Sequence, residues 1–271
     1  MNITVFALGG TIGSIVDESG VIRLGQDAAG LFDPSLDIKL VSPFTYSSED
    51  ADIYTYQRAL RAIYSECSKN KPEGAVILHG TDTMAYFAQV ACRVLSSLDI
   101  PIAITGSLLP PMVPGSDCQA NIREAIRYIS SGQQGVVVTG EGIDGALPAY
   151  KIIQADHTGR YGIYHDAKMP KVSTDFLTRT ILPSVYILPD TPGAISQIPH
   201  ETDRILIHAY HSGTCPSALA DILSSGVKAY MAPVKATEIL YESRYKMEQA
   251  GVKLLYDMPF EGAWAEVMVN E

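Results

Sequence analysis

Four short runs, Val5–Leu8, Ala75–Leu78, Ile102–Thr105 and Val136–Val138, constrain this chain more than any other feature. Each is apolar without alternation and is bounded by Gly or Pro, as expected of a strand buried on both faces. Between them a helical period appears at Tyr56, Ala59, Leu60, Ile63 and Cys67, and again at Ile122, Ala125, Ile126 and Ile129. Strands that hide both faces, separated by amphipathic helices, form a parallel sheet covered on two sides. Right-handed crossovers then make a doubly wound, mainly parallel α/β sheet the natural topology.

The rhythm breaks between about Gly159 and Thr202, where Pro170, Pro183, Pro189, Pro192 and Pro199 interrupt short apolar pieces. It then restarts with Ile205–His208, a helix over Ser217–Ser224, Tyr230–Val234, a helix over Ile239–Ala250 and the strand Leu254–Tyr256. The reading is an N-terminal α/β domain over 1–165, a connecting segment over 166–201 and a smaller α/β domain over 202–271. Trp264, with Ala263, Val267 and Met268, reads as packing of the last helix.

Bulk properties exclude several function classes. The 271 residues are 46% hydrophobic and 18% charged, which suits a folded chain rather than a disordered one. A formal net charge of −10, with no cluster of Lys and Arg, speaks against a nucleic-acid partner. The cysteines Cys67, Cys92, Cys118 and Cys215 form no CxxC pair, so they read as reduced packing residues and no metal site is expected. No apolar stretch is long enough to cross a bilayer, and the first strand follows Met1 with no leader, so a cytoplasmic protein is expected.

In an open parallel sheet, ligands bind beyond the carboxyl ends of the strands. The polar residues just after each apolar run are therefore the informative ones. The first strand ends in Gly9-Gly10-Thr11-Ile12-Gly13, and the run at Ala75 ends in His79-Gly80-Thr81-Asp82-Thr83. Glycines let the backbone approach a ligand and leave N–H groups facing the crevice. A hydroxyl held there can attack a carbonyl while the amides stabilise the oxyanion. Each motif alone could equally be an ordinary turn or a helix cap, and neither has dinucleotide or P-loop spacing.

Together, the two motifs resemble the signature pair of the bacterial-type L-asparaginase/glutaminase family. Thr105-Gly106-Ser107, Tyr210-His211-Ser212-Gly213-Thr214 and Asp257-Met258-Pro259-Phe260-Glu261 extend the resemblance almost to the C-terminus. The resemblance implies hydrolysis of the side-chain amide of asparagine, or a related amide, to acid plus ammonia. Thr11 would be the acylated nucleophile, with Thr81, Asp82 and a lysine handling protons. Lys151, downstream of Asp144-Gly145, is the expected lysine, ahead of Lys168 and Lys171. Ser47 and Ser48, in Tyr46-Ser47-Ser48-Glu49-Asp50, resemble the segment that grips the substrate's carboxylate and amine. Gly10, Gly80 and Ser107 complete the implied contacts. No metal or cofactor is implied, and the partners are a small amino-acid amide and further copies of the chain in a homodimer or homotetramer.

One departure stands out. The family carries a tyrosine in the loop after the first motif, whereas this loop reads Ser14-Ile15-Val16-Asp17-Glu18-Ser19-Gly20-Val21-Ile22-Arg23. Val21 takes the expected place of the phenol, and Tyr46 is a candidate substitute. Losing such a group removes acid–base help worth about 10²- to 10⁴-fold. Two rival readings follow: an asparaginase-fold amino-acid-binding protein with little activity, and the amidase subunit of a tRNA-dependent amidotransferase. The second ranks last, because a first strand at Ile3 leaves no room for the additional N-terminal domain expected there. His208 and His211 read as strand-end and loop histidines rather than metal ligands.

Overall fold

The computed structural model of the chain describes residues 1–25, 28–192, 202–223, 227–235 and 241–271. Its first sheet is built from β1 (Asn2–Ala7), β4 (Asp37–Val41), β5 (Gly74–Leu78), β6 (Pro101–Thr105), β7 (Gly135–Thr139) and β8 (Leu147–Pro148). A short hairpin of β2 (Ser14–Val16) and β3 (Ile22–Leu24) lies between β1 and β4 in sequence. The spatial order is β4-β1-β5-β6-β7-β8, parallel throughout except for β8, which runs antiparallel to β7. The chain therefore places β4 on one side of β1 and β5 on the other. The order reverses between β1 and β5, which is where such sheets bind ligands.

Burial accounts for the unbroken apolar strands. Phe6, Leu8, Ala75, Ile77, Ile102, Ile104, Val136 and Val138 pack on α1 (Ile53–Asn70) and α2 (Met84–Leu95). Their alternates Ile3, Val5, Ala7, Val76, Leu78, Ala103 and Val137 pack on α3 (Cys118–Ser130). Alternate side chains of a strand point to opposite faces, so both must be apolar. Helix α1 starts where the Asp52 carboxylate accepts the Thr55 N–H at 2.7 Å, and it ends at Lys71 in the left-handed region at φ 45°.

After β7 and β8 the chain makes an excursion through β9 (Ile152–Ile153) and β10 (Gly162–Ile163), paired antiparallel. A second sheet follows, with β11 (Val185–Leu188), β12 (Arg204–His208), β13 (Lys228–Val234) and β14 (Lys253–Tyr256) parallel and in sequential order. Strand β11 lies inside the stretch expected to be a long connection with local strand structure. The expected helices are the shorter α4 (Leu219–Leu223) and α5 (Glu242–Gln249), and residues 224 and 239–240 of those expectations lie outside the described residues. The last helix, α6 (Phe260–Val269), serves both sheets: Ala265, Met268 and Val269 join the first core, while Phe260, Ala263 and Val267 join Leu206, Tyr230 and Leu255 of the second. Trp264 packs edge-on against Tyr56 and Tyr86, as the packing reading of that residue requires. Among the described residues, no helix is long and apolar enough to cross a membrane.

Candidate active site

Two glycine contacts bring the strand tips together. Gly10 has φ 79°, a left-handed value that glycine adopts freely, and it precedes the one-turn helix Thr11–Gly13. A Cβ on Gly10 would collide with the Gly80 backbone, and a Cβ on Gly80 would collide with the Ser48 hydroxyl. The tip of β1, the tip of β5 and the Ser47–Asp50 segment therefore meet at van der Waals distance. Gly10 O accepts hydrogen bonds from Gly13 N–H at 3.1 Å and from the Ser14 hydroxyl at 2.9 Å, which closes the turn beginning at Thr11.

The result is a cavity of about 160 Å³ lined by Gly10, Thr11, Ser14, Ser47, Ser48, Glu49, Gly80, Thr81 and Asp82, with Ile22 and Leu24 of the hairpin. Both threonines of the sequence motifs face this one space. Its charged lining residues are Glu49 and Asp82, both acidic. Ser48 is buried and donates to an Asp82 carboxylate oxygen at 3.4 Å, while the Thr83 hydroxyl donates to Ser48 O at 2.9 Å.

The turn Thr81–Thr83 is fixed by three side-chain donors on consecutive carbonyls. Tyr161 donates to Thr81 O at 3.0 Å, Gln154 to Asp82 O at 2.6 Å and Tyr56 to Thr83 O at 3.3 Å. Burial holds the Tyr161 phenol well above its usual pKa, so it is a permanent donor. His79, just before the turn, is wholly buried, which pushes its imidazole down to about 4. Its Nδ1 lies 2.7 Å from Gly80 O, and a carbonyl can only accept, so Nδ1 carries the proton. Nε2 then accepts the Tyr46 hydroxyl at 2.8 Å. That bond ties the half-buried Tyr46 to His79, and Tyr46 is not among the residues lining the cavity.

Three further expectations meet a different geometry. Val21 is not among the residues lining the cavity, whereas Ile22 and Leu24, themselves 50% and 40% exposed, are. Ser107 is buried, and its hydroxyl is spent on Leu109 O at 2.8 Å within its own turn. Lys151 ends the turn Ala149–Lys151 with its ammonium 5.9 Å from the Tyr150 ring centroid, and it is absent from the cavity lining. The side chain this segment sends to Asp82 is Gln154, three residues later. Sequence reasoning missed Gln154, because a lysine was sought downstream of Asp144-Gly145 and no local pattern marks a glutamine that reaches a backbone carbonyl 72 positions away.

Gln154 continues outward. Its backbone N–H donates at 2.7 Å to a Glu261 carboxylate oxygen at the start of α6. Glu261 is 5% exposed, and desolvation lifts its carboxyl above the usual carboxylate range. Among the described residues, Gln154 Oε1 and Glu261 Oε2 are buried without a hydrogen-bond partner.

Comparison with known proteins identifies the family and the fold. Residues 2–161 match the family model described as asparaginase, N-terminal. The chain belongs to the asparaginase family. An L-asparaginase of Thermococcus kodakarensis is 30% identical over 154 residues, 51% of this chain and 43% of that protein. A glutamyl-tRNA(Gln) amidotransferase subunit of Thermoplasma acidophilum is 27% identical over 216 residues, 72% of this chain and 52% of that protein. The chain thus spans about half the length of these curated relatives. In structure, the thermostable L-asparaginase from Thermococcus kodakarensis superposes with a TM-score of 0.76 at 21% identity, covering 99% of this chain and 92% of that one. A probable cytoplasmic L-asparaginase from Campylobacter jejuni gives 0.76 at 20% identity, covering 99% and 94%. These two likenesses show the asparaginase fold over the described residues, including the second sheet beyond the matched family model.

Proposed function

We propose that this family member is an amidohydrolase that cleaves the side-chain amide of asparagine, or of a related amino acid, through an ester on Thr11. The observation that carries this reading is the opening of Thr11 and Thr81 onto one cavity at the strand-order reversal. In the first step the Thr11 hydroxyl oxygen bonds to the amide carbon. The carbon–nitrogen bond then breaks, the hydroxyl proton goes to the departing nitrogen, and ammonia leaves. In the second step water, held by Thr81 and Asp82, adds to the ester; Thr11 leaves with a proton and the acid is released. Backbone N–H groups of the two glycine turns suit the oxyanion. Asp82 and Glu49 suit an ammonium group, and the Ser47 and Ser48 hydroxyls suit a carboxylate. Lys151 is not carried into this reading as a proton carrier. No cofactor or metal enters the steps. A homodimer or homotetramer in the cytoplasm remains part of the proposal.

A second reading, an amino-acid-binding protein of this fold with little turnover, is favoured by the neutral Gln154 beside Asp82 and the apolar Ile22 and Leu24 over the cavity. The amidotransferase reading draws on the relative from Thermoplasma acidophilum. One experiment separates them. A panel of amides including asparagine, glutamine and their D-isomers is assayed for ammonia with the wild type, Thr11→Ala and Thr81→Ala. Amidohydrolysis predicts ammonia from the wild type and a loss of at least about 100-fold in each variant. Wild-type rates in both variants would overturn it. Ligand-raised melting temperature without ammonia would favour the binding protein, and glutamine hydrolysis that appears only with an added partner would favour the amidotransferase.

A further inference from the structure

We infer that Gln154 is a positioning residue for the Thr81–Asp82 turn, held from behind by Glu261, so that α6 sets the geometry of the site. The inference rests on the amidohydrolase reading for its catalytic part only. Two of the three donors on the turn, Tyr56 and Tyr161, are ring phenols locked by the surrounding core. Gln154 is the exception: a flexible side chain with several rotatable bonds, reaching Asp82 O from the end of a two-residue strand. Such a side chain holds one geometry only if its own backbone is fixed. The preceding residues are held by β10 and by Gln89 Nε2 on Ile152 O, and the contact made by Gln154's own backbone is its N–H bond to the buried Glu261 carboxylate.

Glu261 is in turn placed by α6. The neighbouring Gly262 carbonyl accepts from the buried Arg93 guanidinium of α2 at 2.8 Å, and Arg93 also donates to Glu266 at 2.9 Å. Helix α2 begins directly after the Thr81–Thr83 turn. A closed circuit therefore runs from the turn through α2, Arg93, α6, Glu261 and Gln154 back to Asp82. A carboxylate buried at 5% exposure with one oxygen unpartnered is costly to keep. Aliphatic residues would fill the same space more stably, and the contact to Gln154 is what the carboxylate adds. The neutral amide also gives Asp82 a donor on its carbonyl, and among the described residues no ion pair engages its carboxylate.

The test uses the full chain with Gln154→Leu, Glu261→Ala, Glu261→Gln and the double variant Gln154→Leu/Glu261→Ala. Met84 N–H closes the turn onto Thr81 O, so its hydrogen exchange reports turn geometry without any substrate. Gln154→Leu and Glu261→Ala should each speed this exchange about 10-fold or more, and the double variant no further, since both break one circuit. Glu261→Gln keeps an acceptor for Gln154 N–H and should retain wild-type exchange. With any amide that the wild type hydrolyses, kcat should fall about 10-fold or more while KM changes by less than about 3-fold. Unchanged Met84 exchange in Gln154→Leu and Glu261→Ala, or strictly additive effects of the two, would overturn the inference. Faster exchange with unchanged kcat would overturn its catalytic part and leave a purely structural brace. A wild type that releases no ammonia would refute the amidohydrolase reading while the exchange data still decide the circuit.

Discussion

His79 is the residue whose surroundings make the sharpest demand. It stands between β5 and the Thr81 turn, stacked on Phe87 with ring centroids 4.5 Å apart and bonded at both nitrogens. A charged ring there would lose its hydration and would set an N–H against the Tyr46 hydroxyl, so the native imidazole stays neutral. The native pKa of about 4 lies below the ordinary 6.5, so between those values the unfolded chain binds a proton that the native chain refuses. Stability therefore falls as pH drops from 6.5 towards 4, by about 3 kcal/mol in all, and is fully present above 6.5. Proton NMR of the His79 ring should show no titration down to about pH 5. A midpoint near 6.5 would mean that the ring is hydrated and that the turn is looser than described.

At the scale of elements, the hairpin of β2 and β3 decides what covers the nucleophile. Gly25 N–H donates to Gly13 O at 2.9 Å, which ties the foot of the hairpin to the Thr11 turn. Ile22 and Leu24, two positions apart, then share the face towards the cavity. Val21 lies just outside the strand, and a one-residue difference moves a side chain off that face. Sequence position alone pointed to Val21, since register depends on the Asp17–Gly20 turn, which no local pattern fixes. A phenol in the roof should therefore help only from the inward position. Ile22→Tyr is expected to raise kcat for amide hydrolysis about 10-fold or more, and Val21→Tyr to leave it unchanged. Equal effects, or none from Ile22→Tyr, would place the limiting proton transfer elsewhere. The long helices and buried strands were legible because both faces of β1, β5, β6 and β7 are apolar. Strand β4 was not, because an edge strand reading Asp37-Ile38-Lys39-Leu40-Val41 buries little. Strand β11, inside a proline-rich stretch, gave no clear period for the same reason.

Across the whole molecule, two mainly parallel sheets share α6, and the cavity lies where the strand order of the first sheet reverses. The glycine motifs made this site legible, because a threonine after a strand-ending glycine pair has few other places to go. What stayed hidden were contacts between distant segments: Gln154 with Asp82, Glu261 with Gln154, and Tyr161 with Thr81. Each joins residues 72 or more positions apart and depends on how loops fold back, not on any local period. The proposed chemistry turns on Thr11 becoming acylated. The most direct measurement is mass spectrometry of peptides from enzyme quenched in acid during turnover of its best amide, in the wild type and in Thr81→Ala. The peptide containing Thr11 should carry the mass of the substrate acyl group, more heavily in Thr81→Ala, where water attack is slowed, and should lose it on Thr11→Ala. Ammonia released with that peptide always unmodified, or an acyl group found on the Thr81 peptide of the wild type, would contradict Thr11 as the nucleophile.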